Sequence, residues 1–167
     1  MTGPLKSITD NLDAALRKLS FGPPVTHVYN PLAYARVPYD LYLERYGQGR
    51  KRYVLVGMNP GPWGMMQTGV PFGEVAASRD WLDLESSVEE PEVMHPKRPV
   101  LGFSSTRSEV SGRRVWGWAI SRFQTPQAFF QDWFIVNHCP LLFFDSAGRN
   151  LTPDKLKKAD REPLLSA

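Results

Sequence analysis

The sequence has one cysteine, Cys139, and three histidines. A lone thiol excludes a disulfide framework and cannot by itself hold an iron–sulfur cluster or a zinc ion, so no metal and no cofactor is expected. No apolar run approaches the roughly 18 residues of a membrane helix. The first residues lack the charged-then-apolar pattern of a secretory signal. These absences lead to the expectation of an intracellular, soluble protein with no membrane partner, in the cytoplasm or nucleoid of a bacterium or the nucleus of a eukaryote. The glycine loops that cradle nucleotide phosphates are missing too: neither G-x-x-x-x-G-K-[ST] nor G-x-G-x-x-G occurs. Internal repeats and low-complexity tracts are likewise lacking.

What is present suits one folded domain over residues 1–167. The chain is 42% hydrophobic, with five Trp, six Tyr and nine Phe, enough to bury a core. A net charge of +3 is a weak pointer to nucleic acid. Acids concentrate between Asp80 and Glu92, which leaves the rest of the chain more basic than the total implies. The basic clusters Arg50–Arg52, Lys97-Arg98, Arg113-Arg114 and Lys155–Arg161 each read, singly, as solvated surface.

Leucines at helical spacing predict a first helix over Ser7–Leu19, capped at Thr9 or Asp10 and stopped by Phe21-Gly22-Pro23-Pro24. Val25–Pro38 reads as loop and Tyr39–Tyr46 as a short helix. Tyr53–Val56 is β-branched and apolar, the pattern of a buried strand. Arg79–Glu92 reads as a solvent-facing stretch. Val100–Phe103 is a candidate third strand. Val115, Trp116, Ala119, Ile120 and Phe123 give Arg113–Phe123 one apolar helical face, and Pro126–Gln131 opens another short helix. Trp133–Asn137 reads as a second buried strand, with Leu141–Phe144 extending the apolar run to a turn at Ser146–Asn150. Thr152-Pro153 reads as the cap and first residue of a last helix. Strands separated by helices predict an α/β fold with a parallel sheet, whose ligand site lies beyond the carboxyl ends of the strands.

The sequence is organised around Tyr53–Val75, where Gly57, Gly61, Gly64, Gly69 and Gly73 alternate with Pro60, Pro62 and Pro71. Glycine permits close backbone approach, and proline removes conformational freedom. Such a loop is rigid and shaped around something. Trp63, Met65, Met66 and Phe72 line it with flat and soft surface. Asn59 and Asn137 both fall at or just past the ends of predicted strands. If those strands are parallel, two amides with donor and acceptor groups share one edge, as reading a nucleobase requires.

The string G-M-N-P-G-P-W-G-M at Gly57–Met65, with Q-T-G-V-P-F-G-E-V at Gln67–Val75, resembles the first active-site motif of the uracil-DNA glycosylase superfamily. It is most similar to the single-strand-selective monofunctional uracil-DNA glycosylases. The stretches His95–Gly102, Ser108–Gly112, Asn137–Phe143 and Ser146–Pro153 match as well, so the resemblance covers nearly all the chain from about Tyr29. It implies a three-layer α/β/α fold with a short parallel central sheet. It also implies hydrolysis of the N-glycosidic bond of uracil in DNA, with 5-substituted uracils such as 5-hydroxymethyluracil accepted, leaving an abasic site. The partner implied is uracil-containing DNA, single- or double-stranded, and the expected state is a monomer.

By the same resemblance Asn59 is catalytic, holding the attacking water. Asn137 reads the base through O4 and N3–H, and the base stacks on Phe72. Gly57, Met58, Gly61 and Met65 complete the base pocket, with Gly61 leaving room near the base's C5. Pro60 and Arg149 are the implied DNA contacts. His27, His95 and His138 receive no catalytic role, because His95 stands in H-P-K-R and not in the family's catalytic H-P-S-P. The family carries that histidine, a further strand and a duplex wedge in a C-terminal segment, and the last strand is expected to be absent here. A chain so shortened is expected to be inactive and marginally folded alone. The competing expectation is a uracil- and DNA-binding module without turnover; an unrelated nucleotide-binding α/β domain would require the motifs to match by accident.

Overall fold

The computed structural model describes residues 3–166. Helix α1 (Pro4–Leu16) begins a turn earlier than its leucine spacing indicated, because Pro4 occupies the first turn, where a missing N–H costs nothing. Thr9 is no cap; its hydroxyl donates to the Leu5 carbonyl inside the helix. The stretch expected to be loop contains strand β1 (His27–Tyr29) and a helical turn, α2 (Pro31–Tyr34), capped by Asn30 accepting from the Leu32 amide. Helix α3 (Arg36–Tyr46) precedes strand β2 (Tyr53–Gly57), and α4 (Met65–Thr68) is one turn within the glycine-rich loop.

Helix α5 (Val110–Phe123) and α6 (Pro126–Asp132), the latter capped by the Thr125 hydroxyl, deliver the chain to strand β3 (Trp133–Asn137). The apolar run does not continue β3. Pro140 intervenes, and Leu142–Phe144 forms a separate strand, β4, antiparallel to β1, with β5 (Asn150–Leu151) on its other side. Val100–Phe103 is not a strand either: it enters a 3₁₀ turn, Gly102–Ser104, where Gly102 takes a φ of +59°. The acidic stretch begins with one π-helical turn, Ala77–Trp81. After Thr152 a 3₁₀ turn (Pro153–Lys155) comes first, and helix α7 (Lys158–Ser166) starts only beyond the extended Leu156.

The strands therefore divide into two sets, a three-stranded antiparallel sheet ordered β1-β4-β5 and a parallel pair β2-β3. The parallel pair runs in register from Tyr53 opposite Trp133 to Gly57 opposite Asn137. Its core is aromatic: Tyr42, Trp116, Phe129 and Phe130 are buried together with Ile135 and Phe134. A second cluster joins Leu16 of α1, Phe143 of β4 and Leu164 of α7.

Strand β2 is not the buried strand its apolar sequence predicts. Tyr53, Val54 and Val56 are 45%, 54% and 62% exposed. Parallel strands are apolar because they are ordinarily covered on both faces. Among the described residues β2 has a strand on one edge alone; Leu55 packs partly against the aromatic core, while Tyr53, Val54 and Val56 stay uncovered.

The outer edge of β3 is closed by a side chain. The buried Tyr42 hydroxyl donates to the Ile135 carbonyl (2.8 Å) and accepts from the Ile135 amide (3.3 Å). Burial holds the Tyr42 phenol well above its usual range, so it keeps its proton for that bond. Tyr42→Phe strands a buried N–H and C=O together, and should lower unfolding free energy by about 1–3 kcal/mol. Urea unfolding of parent and variant checks this; equal midpoints would mean the pair is met by water.

Candidate active site

The parallel register brings Gly57 and Asn137 side by side at the carboxyl ends of β2 and β3. Pairing runs on past the strands, with the His138 amide bonded to Gly57 O at 2.8 Å and the Cys139 amide to Met58 O at 2.9 Å. A Cβ at Gly57 would collide with the Asn137 carboxamide oxygen and lie 2.8 Å from the Phe72 ring. Glycine is required here because an amide and an aromatic ring converge on its bare face.

The Asn137 amide is oriented. Its nitrogen donates to the Met65 sulfur at 3.1 Å. A thioether can only accept, so rotating the amide would set two acceptors against each other. One N–H and the carboxamide oxygen remain for a ligand. Met65 is buried, so its sulfur is held in place.

Phe72 is the backbone outlier of the loop, with a φ of +55°. A left-handed non-glycine residue costs roughly 1–2 kcal/mol. The surroundings enforce it: the Phe72 carbonyl accepts from the Trp116 indole at 2.8 Å and from the Glu74 amide at 2.7 Å. Gly112 of α5 lies so close that a Cβ there would strike the same carbonyl. The ring that faces Asn137 is thus set by a helix far away in sequence.

Asn59 is half-buried just past β2. Its amide nitrogen lies 3.4 Å from both the Pro60 and Leu141 carbonyls, contacts long enough to be exchanged for a ligand or water. Met58 is 56% exposed and Pro60 is buried. The room expected beside Gly61 does not lie where its side chain would be. The Glu109 carboxyl occupies that place, one oxygen against Gly61 and the other against Gly64. Both glycines admit this carboxyl between the loop and α5. Its Oε2 is buried without a hydrogen-bond partner. Burial raises the Glu109 pKa above the ordinary carboxylate value; a bond with Ser111 pulls it down, and nearby Glu74 pushes it up again. Sequence reasoning assigned Glu109 nothing. The available signal was a glutamate within the matching S-E-V-S-G.

Gln67, fully buried, is a second residue missed. Its amide nitrogen donates to the Pro62 and Pro99 carbonyls, both at 3.1 Å, and its oxygen accepts from the Leu101 amide at 2.7 Å. It fastens the motif loop to the segment 99–101.

The remaining named residues lie apart from the amide and ring. His95 is buried, with Nδ1 accepting from the Lys97 amide and Nε2 facing the Ser146 carbonyl at 3.3 Å, an arrangement that orders a turn. Its edge meets His27. His138 is exposed. Burial pushes the Cys139 thiol up to about 11, which leaves it unreactive near neutrality. Arg149 pairs with Asp145 at 2.7 Å and holds its guanidinium in solvent. Backbone amides at Arg149 and Ala147 and that guanidinium keep the Asp145 carboxyl below its usual range. Among the described residues no three His, Cys, Asp or Glu side chains gather to hold a metal ion, and no helix is long and apolar enough to cross a membrane.

No family model matches the chain. It is 53% identical over 155 residues to the single-strand selective monofunctional uracil-DNA glycosylase of Rattus norvegicus, a match covering 93% of this chain and 56% of the rat protein. The Mus musculus protein of the same name is 52% identical over 155 residues, with the same two coverages. The Bos taurus protein is 51% identical over 154 residues, 92% of this chain and 57% of its own length. Over nearly its whole length the chain is thus similar to single-strand selective monofunctional uracil-DNA glycosylases. It spans a little over half the length of these relatives. In structure, the chain is similar to SMUG2 from Pedobacter heparinus, with a TM-score of 0.60 at 21% identity over 95% of this chain and 64% of that one. That likeness supports the mixed α/β fold.

Glu109 generates a pH prediction. The folded state holds a proton that the unfolded chain releases near the ordinary glutamate pKa. Stability therefore falls as pH rises from that value through the raised folded one. Glu109→Gln removes the cost of ionisation, so it should melt higher than the parent at about pH 8, the gap closing by about pH 4. Thermal unfolding at both pH values checks this; a constant gap would place the effect in packing.

Proposed function

We propose that the full-length protein hydrolyses the N-glycosidic bond of uracil in DNA and leaves an abasic site. The observation that carries this is the Asn137 amide set against the Phe72 ring across Gly57, held in one orientation by Met65. In this reading the base leaves the stack at a cost of a few kcal/mol, least when it is single-stranded or mispaired. It stacks on Phe72 for roughly 1–3 kcal/mol. The free N–H of Asn137 donates to uracil O4, and its oxygen accepts from N3–H. Cytosine reverses both, and the thioether resists the flip that would accommodate it. Asn59, whose polar contacts are long, holds the attacking water. Gly57, Met58, Gly61 and Met65 wall the pocket, 5-substituted uracils enter it, and Arg149 meets the DNA, while Pro60, expected to do so too, is buried and stiffens the loop behind Asn59. The protein acts as a monomer, and this chain forms one domain of a three-layer α/β/α arrangement.

Incubation with uracil-containing oligonucleotides followed by alkaline cleavage at abasic sites tests the activity. Asn59→Ala should slow single-turnover excision by about 10²–10³-fold, the scale of one lost oriented group. A rate within about threefold of the parent would remove Asn59 from the mechanism. Asn137→Asp replaces the donor to O4 with a carboxylate oxygen. It should erase the preference for a non-cleavable uracil oligonucleotide over the cytosine one, and an undiminished preference would mean Asn137 reads nothing.

A second reading rests on the histidines. His95 is engaged through both ring nitrogens, His27 packs on it, and His138 faces solvent. A protein that binds the uracil strand tightly yet never cleaves it would be a base-binding module, and the alkaline assay separates the two.

A further inference from the structure

Arg36, Arg45, Arg79 and Arg149 each pair with a carboxylate. Lys97, Arg98 and Arg107 do not. Among the described residues none of the three forms an ion pair, and no acidic residue lines the 370 Å³ depression that they border. Trp63 is part of its lining. The Arg107 guanidinium lies over the indole at 4.4 Å from the ring centroid, and that of Arg98 at 5.5 Å. Guanidinium–indole stacking orients the planar cation while leaving its N–H groups at the rim to donate. With two guanidiniums over it, the indole offers little face to a base; what remains on offer is a set of donors for an anion.

The platform is fixed in place. The Arg98 carbonyl accepts from the Tyr29 hydroxyl at 2.8 Å, and its Nε donates to Gly148 O at 2.7 Å. The His95 imidazole braces the Lys97 amide. Gln67 then ties Pro62, beside Trp63, to Pro99, beside Arg98. Trp63 itself stands between Asn59 and Met65 in the motif loop, and Gly148, beside Arg149, forms part of the same wall. Three uncompensated cations held together repel one another. An anion seated among them relieves that repulsion, and the anion nearest to a flipped nucleotide is a phosphate of its own strand.

We propose that Trp63, Lys97, Arg98 and Arg107 form a phosphodiester-binding platform that grips the single-stranded DNA backbone beside the base pocket. The proposal rests on the reading of the pocket given under Proposed function and adds where the strand runs and what holds it. Backbone contacts of this kind position the strand without reading sequence. Each one formed with single-stranded DNA releases condensed counterion, contributing about 0.7 to the slope of log K against log salt.

The test is fluorescence anisotropy of the full-length protein with two single-stranded oligonucleotides, one uracil-free and one carrying a non-cleavable uracil, across a salt series. Arg107→Ala should reduce the slope by about 0.7, and Lys97→Ala combined with Arg107→Ala by about 1.4, equally on both strands. Arg107→Lys, which keeps the charge, should retain the parent slope. Both side chains are exposed, so unchanged melting temperatures separate the effect from unfolding. A double variant with the parent slope overturns the platform. Excision assays run beside the titration keep the two readings apart. Uracil excision with unaltered slopes defeats the platform and leaves the base pocket standing. A reduced slope on the uracil-free strand, in a protein that never recognises uracil, upholds the platform and defeats the base pocket.

Discussion

The pairing of Gly57 with Asn137 is the constraint on which the site depends. Two parallel strands end at the same level, one on a residue with no side chain and the other on an amide that fills the vacancy. A slip of one residue would turn Asn137 to the other face of the sheet. The register is held from behind by the buried aromatic cluster and by stacking of Tyr53 on Trp133 at the opposite end of the pair. Loop geometry, amide orientation and the approach of the Phe72 ring all follow from that alignment.

Around this pair the molecule uses glycine to admit other residues' polar groups more than to lend flexibility. Gly57 admits an amide, Gly61 and Gly64 admit a carboxyl, and Gly112 admits the Phe72 carbonyl. Each close approach joins the motif loop to β3 or α5. The strained backbone of Phe72 is tolerable only because Trp116 and Gly112 hold its carbonyl, so helix α5 belongs to the site even though no residue of it was expected to touch a base.

The parts legible in the sequence were those with local causes. Helices α3, α5 and α6 and strands β2 and β3 announced themselves by apolar spacing, capping residues and proline. The two asparagines were found because strand ends in a parallel arrangement share one edge. Strand β1 and the separation of β4 from β3 were hidden, since three-residue antiparallel strands carry no period long enough to read. The burial of β2 was misjudged because composition records what a strand is suited to face, not what lies against it. Glu109 and Gln67 escaped notice for a related reason. A lone glutamate or glutamine carries no pattern, and its importance comes from contacts with segments 30–50 residues distant in sequence.

The hydroxyl of Tyr42 has a consequence for the shape of the sheet. By taking both polar groups of Ile135, it removes the middle rung that an incoming strand would need on the outer side of β3. Among the described residues the free edge of β2 has no such plug. The parallel pair is therefore directional: it can be widened beside Tyr53–Gly57 and is closed beside Trp133–Asn137. A strand added to this pair, whether from the same polypeptide or from another, docks beside Tyr53–Gly57, where it would lie next to the uncovered Val54 and Val56.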